Sequence, residues 1–173
     1  IVYTDLYSNS SSNKKIELEI ISSEILTIDR NLFISAEDVH VGSSGNGGTV
    51  NTNGSVQIEG QTHISSSNIN ADSITINGTG TNRNPTGIYL EESKLEAIGN
   101  INLDGQGRDE SAADNFTSDA HGINLWKSEA VSTTGNISFK GAAGKGDNLN
   151  DWSENYGDCT DCGEEDSPSG SSI

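Results

Sequence analysis

Short alternations of apolar and polar residues recur along the chain, each followed closely by glycine. An apolar–polar–apolar triplet of this kind starts at Val39, Val56, Ile74, Ile101 and Ile137. Alternation with a period of two over a few residues is typical of short strands that bury one face. The pattern therefore predicts an all-β protein.

The spacing of the triplets indicates a repeating unit with one insertion point. Residues 78–87 and 105–122 each follow such a triplet and end in glycine before another one, "IYL" or "INL". Without these insertions, successive triplets lie about 17 or 18 residues apart. A unit of this length has room for three short strands and tight turns. We predict strands at residues 74–77, 88–91 and 95–98 in one unit, and at 101–104, 123–126 and 130–133 in the next.

Units of this kind stack as a parallel β-helix in which each strand pairs with its equivalent one coil away. Two apolar columns follow from this arrangement: Ile74, Ile101 and Ile137 in one, and Ile76, Leu103 and Phe139 in the other. Asn100 and Asn136 then share a corner. Their amides either hydrogen-bond along the stack or simply tolerate turn conformations.

Three segments follow from the pattern. Residues 1–30 contain strands whose spacing differs from the later unit, so they form a worn coil, a cap or a strand that docks elsewhere. Residues 31–140 form the coils, with loops that lengthen along one corner, at 42–48, 78–87 and 105–122. Residues 141–173 form an acidic loop that leads into a further coil. We expect the native chain to continue beyond Ile173 and, because it contains no Met, to be a processed product or an excerpt.

Composition and charge narrow the possible partners. Only 31% of the residues are hydrophobic and 5% aromatic, which favours a thin, elongated core. The net charge of -17 repels nucleic-acid phosphates and anionic bilayers. No stretch reaches the roughly 18 apolar residues of a membrane span. We therefore expect neither nucleic-acid binding nor membrane insertion. The charge fits either solubility in crowded secretions or cation binding.

The acidic loop is the candidate cofactor site. Ca²⁺ accepts six to eight carboxylate, amide and carbonyl oxygens in flexible geometry. The candidate ligands are Asp147, Asn150, Asp151, Asp158 and Asp161. The spacing lacks the ligand alternation of a helix–loop–helix calcium site, so a merely solvated acidic loop is the alternative.

The only two cysteines, Cys159 and Cys162, lie in the same loop. They predict a small disulfide at its tip and hence an oxidising compartment, with free thiols as the alternative.

The residue types of catalysis are sparse. His40, His63 and His121 are far apart in the sequence and make a weak case for a metal or a general base. Tyr89 and Trp126 form either a sugar-stacking platform or an aromatic cover over the coils. Because no acidic pair aligns on equivalent strand positions, we predict no catalytic residue.

Three stretches carry a family resemblance: "GNINLDGQG", "HGINLW" and "STTGNISFKGAAGKG". Over about residues 32–141, they resemble the repeats of filamentous-haemagglutinin-like bacterial exoproteins, especially the long ones of cyanobacterial type. The resemblance implies a right-handed parallel β-helix that is exported through an outer-membrane partner and forms a segment of a large adhesin or surface fibre.

The sequence therefore predicts a non-catalytic structural and adhesive segment of a large secreted protein at the cell surface or in the extracellular matrix. Its partners would be neighbouring coils, other copies of itself or surface glycans. One alternative is a self-assembling extracellular filament subunit, and another is a β-helix polysaccharide lyase or hydrolase.

Overall fold

The computed structural model describes residues 6–9, 15–18, 24–42, 47–82, 84–109 and 120–144, the first two segments by their backbone pairing. Every regular secondary-structure element in these segments is a β-strand. They are β1 Leu6–Asn9, β2 Lys15–Leu18, β3 Ile25–Ile28, β4 Leu32–Gly42, β5 Thr49–Thr52, β6 Ser55–Ser65, β7 Asn68–Ala71, β8 Ser73–Thr79, β9 Ile88–Glu91, β10 Lys94–Ala97, β11 Ile101–Gln106, β12 Ile123–Trp126, β13 Glu129–Ser132 and β14 Ile137–Ala142.

The strands form two parallel sheets that divide into three faces. Face A is the five-stranded sheet of β3, β5, β7, β10 and β13. The nine-stranded sheet bends to give the other two faces. Face B contains β1, the first parts of β4 and β6, β8, β11 and β14, and face C contains β2, the last parts of β4 and β6, β9 and β12. One pass through A, B and C is called a coil below.

The predicted stacking is confirmed by the strand register. Ile101 pairs with Ile74 on one side and with Ile137 on the other, and Leu103 pairs in the same way with Ile76 and Phe139. The strands of faces B and C begin where the sequence predicts them, except that β8 begins one residue earlier. The two predicted strands of face A, β10 and β13, also begin one residue earlier than predicted, and Ile98, which follows β10, is exposed at a corner. The all-β, parallel architecture is compatible with a parallel β-helix.

One predicted repeat position is wrong. Val56 pairs with Leu32 and not with Val39, which pairs with Thr62 on face C. The match in spacing between Val39 and Val56 was coincidental, because faces B and C carry the same apolar–polar–apolar triplet and the triplet does not specify its face. Strands β4 and β6 each run without interruption from face B into face C. The pairing between them has a register irregularity between Ser35 and Asp38.

The prediction that every long loop leaves one corner is also wrong. The loops between β8 and β9 and between β11 and β12 leave the corner between faces B and C. The connection from β4 to β5 leaves face C after Gly42 and enters face A at Thr49, so it belongs to the corner between faces C and A. Glycine follows the triplet at both corners, so the sequence pattern did not separate them.

Strands β1 and β2 lie at the N-terminal end of the stack, next to β4. Leu6 pairs with Leu32 in face B, and Ile16 pairs with Val39 in face C. Each pairing is parallel and continues residue by residue along the strand. The two strands therefore extend faces B and C by one position each.

The core is a narrow column of aliphatic side chains between the three faces. The inward residues of these strands alternate with outward ones, as with Ile74 and Ile76 in β8 or Leu95 and Ala97 in β10, all at most 2% exposed. Because successive side chains of a strand point to opposite faces, the residues between them face solvent. This explains how a chain with few apolar residues still forms a dry interior.

The same left-handed backbone conformation recurs in each coil at the corner between faces C and A. Ser66, Glu92 and Lys127 have φ near +50°, the left-handed region. Each is followed by a serine, and the hydroxyl oxygen of Ser93 accepts a hydrogen bond of 3.1 Å from the amide of Ser67 one coil earlier. Ser128 accepts from Ser93 in the same way. These serines satisfy backbone donors that the sharp turn removes from the strand pairing.

The corner between faces B and C is a glycine neck. A Cβ placed on Gly105 would lie 2.1 Å from the carbonyl oxygen of Gly122, so the two chain segments at the base of the loop touch through their backbones. Gly78 and Gly87 form the equivalent neck one coil earlier, with 2.4 Å from the Gly78 position to the Gly87 oxygen. The necks close each loop at its base, so loops of different length fit the same stack.

The corner between faces A and B contains the predicted asparagine pair. The amide N–H of Asn136 donates to Oδ1 of Asn100 over 2.8 Å. The contact joins a side chain to the backbone, and Asn31 makes the same kind of contact with the amide of Ser55.

Candidate functional site on face C

Three rings stack on the outer side of face C. His40, His63 and Tyr89 occupy equivalent positions on β4, β6 and β9. The centroids of the two imidazoles lie 4.6 Å apart with an angle of 5° between the rings, and those of His63 and Tyr89 lie 4.8 Å apart at 23°. These separations equal the spacing between neighbouring strands, so the stacking follows directly from the register. We call this set the aromatic column.

The ring nitrogens of the column have polar partners on the adjacent coil. Nε2 of His63 lies 3.3 Å from Oε2 of Glu91, and Nε2 of His40 lies 3.3 Å from Oγ of Ser65. Serine, imidazole and carboxylate are the groups of an acyl-transfer triad, but here they are divided between two imidazoles. Ser65 is also fully buried, so its hydroxyl does not meet a substrate from solvent. The two contacts orient the imidazole rings within the stack.

Tyr89 is the last ring of the column and is partly buried. Burial, followed by the negative charge of Glu91, raises the pKa of Tyr89 above its ordinary value of 10.0. The phenol therefore keeps its proton at neutral pH and contributes a neutral ring to the stack.

The loop between β8 and β9 folds over the start of face C. Oγ1 of Thr81 donates to Oδ1 of Asp38 over 3.0 Å, and Asp38 is only 7% exposed. Gln61, in register with Asp38, is 4% exposed, and its Nε2 has no hydrogen-bond partner among the described residues. The loop therefore contacts Asp38, which lies two residues before His40 on β4, and Gln61 lies beside it on β6.

The loop-bearing edge also contains an open depression of about 530 Å³. The amide of Arg108 donates to the carbonyl of Pro85 over 2.9 Å, which joins the bases of the two long loops. The lining residues are Thr79, Gly80, Gln106, Gly107, Arg108, Asp109, Ala142 and Ala143. The long loops thus leave the stack side by side.

Trp126 lies beyond the aromatic column, in register with Glu91. It is 42% exposed, and the ammonium of Lys127 lies 4.1 Å from the centroid of its ring. Lys127 also pairs with Glu92 at 3.1 Å. The indole therefore combines a solvent-facing part with a cationic cover.

The predicted calcium ligands and cysteines, residues 147–162, lie outside the described residues, so the calcium site and the disulfide stay predictions. Within the described segments, no group of three or more His, Cys, Asp or Glu side chains is arranged to hold a metal ion. His121 is exposed on the segment that precedes β12 and does not join the aromatic column.

The aromatic column was not predicted from the sequence. His40 and His63 lie far apart in the sequence and were treated as isolated residues. The triplets "VHV", "THI" and "IYL" at residues 39–41, 62–64 and 88–90 carry the signal, because each has a ring at its centre. Aligning them required the register of face C, which the incorrect placement of Val39 concealed.

No helix of the described segments has the length and apolar character needed to cross a bilayer. Comparisons with protein families, curated proteins and solved structures find no match for this chain.

Proposed function

We propose that this chain is a non-catalytic structural and adhesive segment of a large secreted protein, located at the cell surface or in the extracellular matrix. The proposal includes a right-handed parallel β-helix of the filamentous-haemagglutinin-like kind, on the strength of the repeat. The observation that carries it is the exposed end of the stack.

The inward-facing side chains of the last described strands lack a cover among the described residues. Ile137 is 43% exposed and Phe139 is 48% exposed, whereas Ile101 and Leu103, one coil earlier in the same columns, are 0% and 1% exposed. Leu125 of β12 is 41% exposed in the same way. Each such side chain gains roughly 1 kcal/mol or more from full burial. A further coil in register would supply that burial and would also pair the open edges of β12, β13 and β14.

The proposed right hand has physical support. Each pass from β4 through β5 to β6, and from β6 through β7 to β8, is a crossover between parallel strands of one sheet. Such crossovers are right-handed in about 98% of cases, because strand twist favours that direction.

The adhesive part of the proposal concerns the loop-bearing edge. The loops leave a rigid stack side by side, which is where repeat proteins place variable binding surfaces. The net charge of -17 disfavours nucleic acids and favours neutral or cationic partners. Surface glycans fit this chemistry, and the half-exposed Trp126 ring, at the end of face C away from these loops, is a second candidate contact.

The same exposed end also supports the second candidate, a self-assembling filament subunit. In that case, the first coil of another copy covers Ile137 and Phe139, and the contact is heterologous and open-ended.

Electron microscopy and light scattering of the purified chain separate the two candidates. A segment of a larger protein gives discrete monomers, and antibodies to it detect a much longer parent chain. A filament subunit gives uniform fibres that Phe139→Asp abolishes. The matched control is Asn102→Asp, an exposed position in the middle of face B. A parent protein of about the same 173 residues that neither assembles nor binds glycans would contradict both candidates. Polysaccharide cleavage that a single Asp substitution removes would contradict the non-catalytic proposal.

A further inference from the structure

We propose that the exposed end of the stack accepts a further coil of the parent chain that presents acidic residues to Lys127 and Lys140 and a basic residue to Glu129. The inference rests on the proposed function, in which this chain is a segment of a larger protein, and it names the chemistry of the coil that follows. It is argued from the charges, hydrogen bonds and register of the last described strands.

Two lysines of the last described strands and corner have an acidic partner on the covered side. Nζ of Lys140 lies 2.8 Å from Oδ2 of Asp104, with which Lys140 pairs in register. At the corner between faces C and A, Nζ of Lys127 lies 3.1 Å from Oε1 of Glu92. In both cases the sign of the charge changes from one coil to the next.

A third position in face A has the opposite sign. Glu129 pairs in register with Lys94, and Nζ of Lys94 lies 3.9 Å from Oε2 of Glu129. The side chains of Lys127, Glu129 and Lys140 are 62–78% exposed. The strands β13 and β14 pair on one side only among the described residues, so a further coil would meet these charges at the open edge.

A covering strand would lie as close to these side chains as the strand on their other side. Neighbouring strands are about 4.7–4.9 Å apart, and opposite charges that face each other across this spacing are favourable, whereas like charges are not. Each exposed pair contributes little, so the three positions select among coils, while burial of Ile137 and Phe139 supplies the main driving force. The preferred coil therefore carries acid, base and acid at the positions that meet Lys127, Glu129 and Lys140.

The corner between faces C and A adds a hydrogen-bonding requirement. The amides of Ser67 and Ser93 each donate to Oγ of the serine one coil later, over 3.1 Å. Ser128 is the last of this series, and its amide has no acceptor among the described residues. A serine, or another short side chain with an oxygen acceptor, at the same corner of the further coil would satisfy this amide.

The first coil of a second copy lacks the required charges. Following the register along face B, Asn9 takes the position that would meet Lys140. Following it along face A, Ile25 takes the position that would meet Glu129. A second copy would therefore bring a neutral residue to both charges, which favours a further coil of a longer chain over end-to-end stacking of copies.

Peptide binding to the intact chain, followed by nuclear magnetic resonance, tests the charge preference. The peptide Ile-Ser-Ile-Glu-Gly-Ser presents a glutamate to Lys140 when it pairs in register with β14, and Ile-Ser-Ile-Lys-Gly-Ser presents a lysine. We expect both peptides to shift the amide resonances of residues 137–142. In Lys140→Glu, the ratio of the two affinities should change by about three-fold or more in favour of the lysine peptide. Lys127→Glu changes the net charge equally at another corner and is the matched control, in which the ratio should stay close to that of the wild type.

Peptides that leave the β14 resonances unmoved, or a ratio that both substitutions change equally, would overturn the inference. Light scattering gives a second check, because the unmodified chain should remain monomeric and uniform fibres would show that its own first coil suffices. The proposed function fails separately. A parent protein no longer than this chain would contradict the proposed function even where the peptides show the preference. A longer parent whose next coil lacks the acid, base and acid would contradict only this inference.

Discussion

Replacement of Ile101 by alanine tests the stacking on which the fold depends. Ile101 is fully buried between Ile74 and Ile137, in the middle of its column. The substitution removes three carbons, each worth about 0.8 kcal/mol on burial, and leaves a cavity that the paired strands cannot collapse. We expect a loss of about 3–4 kcal/mol in the free energy of unfolding.

Asn102→Ala is the control on the same strand. Asn102 is the next residue and faces solvent, so its truncation should change stability by about 0.5 kcal/mol at most. Urea unfolding, followed by far-ultraviolet circular dichroism, measures the stability of both variants. The dependence of the unfolding free energy on urea concentration should be the same in both, because stacked repeats do not always unfold in two states and a changed slope would reveal this. A register slip of one residue would exchange the two faces of the strand. A larger loss for Asn102→Ala than for Ile101→Ala would therefore refute the stacking.

Three further predictions use the corners and the aromatic column. Gly105→Ala should destabilise the stack by about 2 kcal/mol or more in urea unfolding, because the new Cβ would lie 2.1 Å from a backbone oxygen. The control is Gly141→Ala in the same column, which should be nearly neutral because its Cβ would have no neighbour closer than 3.5 Å. Equal losses of stability in the two variants would contradict the glycine neck. Ser93→Ala should cost about 1–3 kcal/mol in the same assay, since it leaves an amide of the preceding coil without its buried acceptor, and a neutral result would contradict the serine column. Tyr89 should ionise above pH 10.0 by tyrosinate absorbance, and Glu91→Gln should lower its pKa only in part because burial is the larger cause. The folded state holds this proton longer than the unfolded chain, so stability should fall as the pH rises from about 10 through the raised pKa, and a pKa at or below 10 would contradict the packing.

Much of face B could be predicted from the sequence, whereas in face C only the later strands, β9 and β12, were predicted. The triplets at Ile74, Ile101 and Ile137 lie in coils whose insertions begin and end in glycine, so counting residues between them placed them correctly. In the earlier coils, β4 and β6 run through the bend without an insertion, and counting from Val39 led to the wrong face. The two histidines of the aromatic column lie in that part of the chain, so the prediction did not align them with Tyr89.

The sequence by itself determined the strands, the parallel stack and the identity of two core columns. It could do so because alternation of apolar and polar residues is a local property, fixed by the geometry of a single strand. Only the tertiary structure decided which triplets share a face, and therefore that His40 contacts His63 and Tyr89 across coils. Such contacts depend on the register between strands far apart in the chain, and that register is set by corners, necks and loop lengths acting together rather than by any one segment.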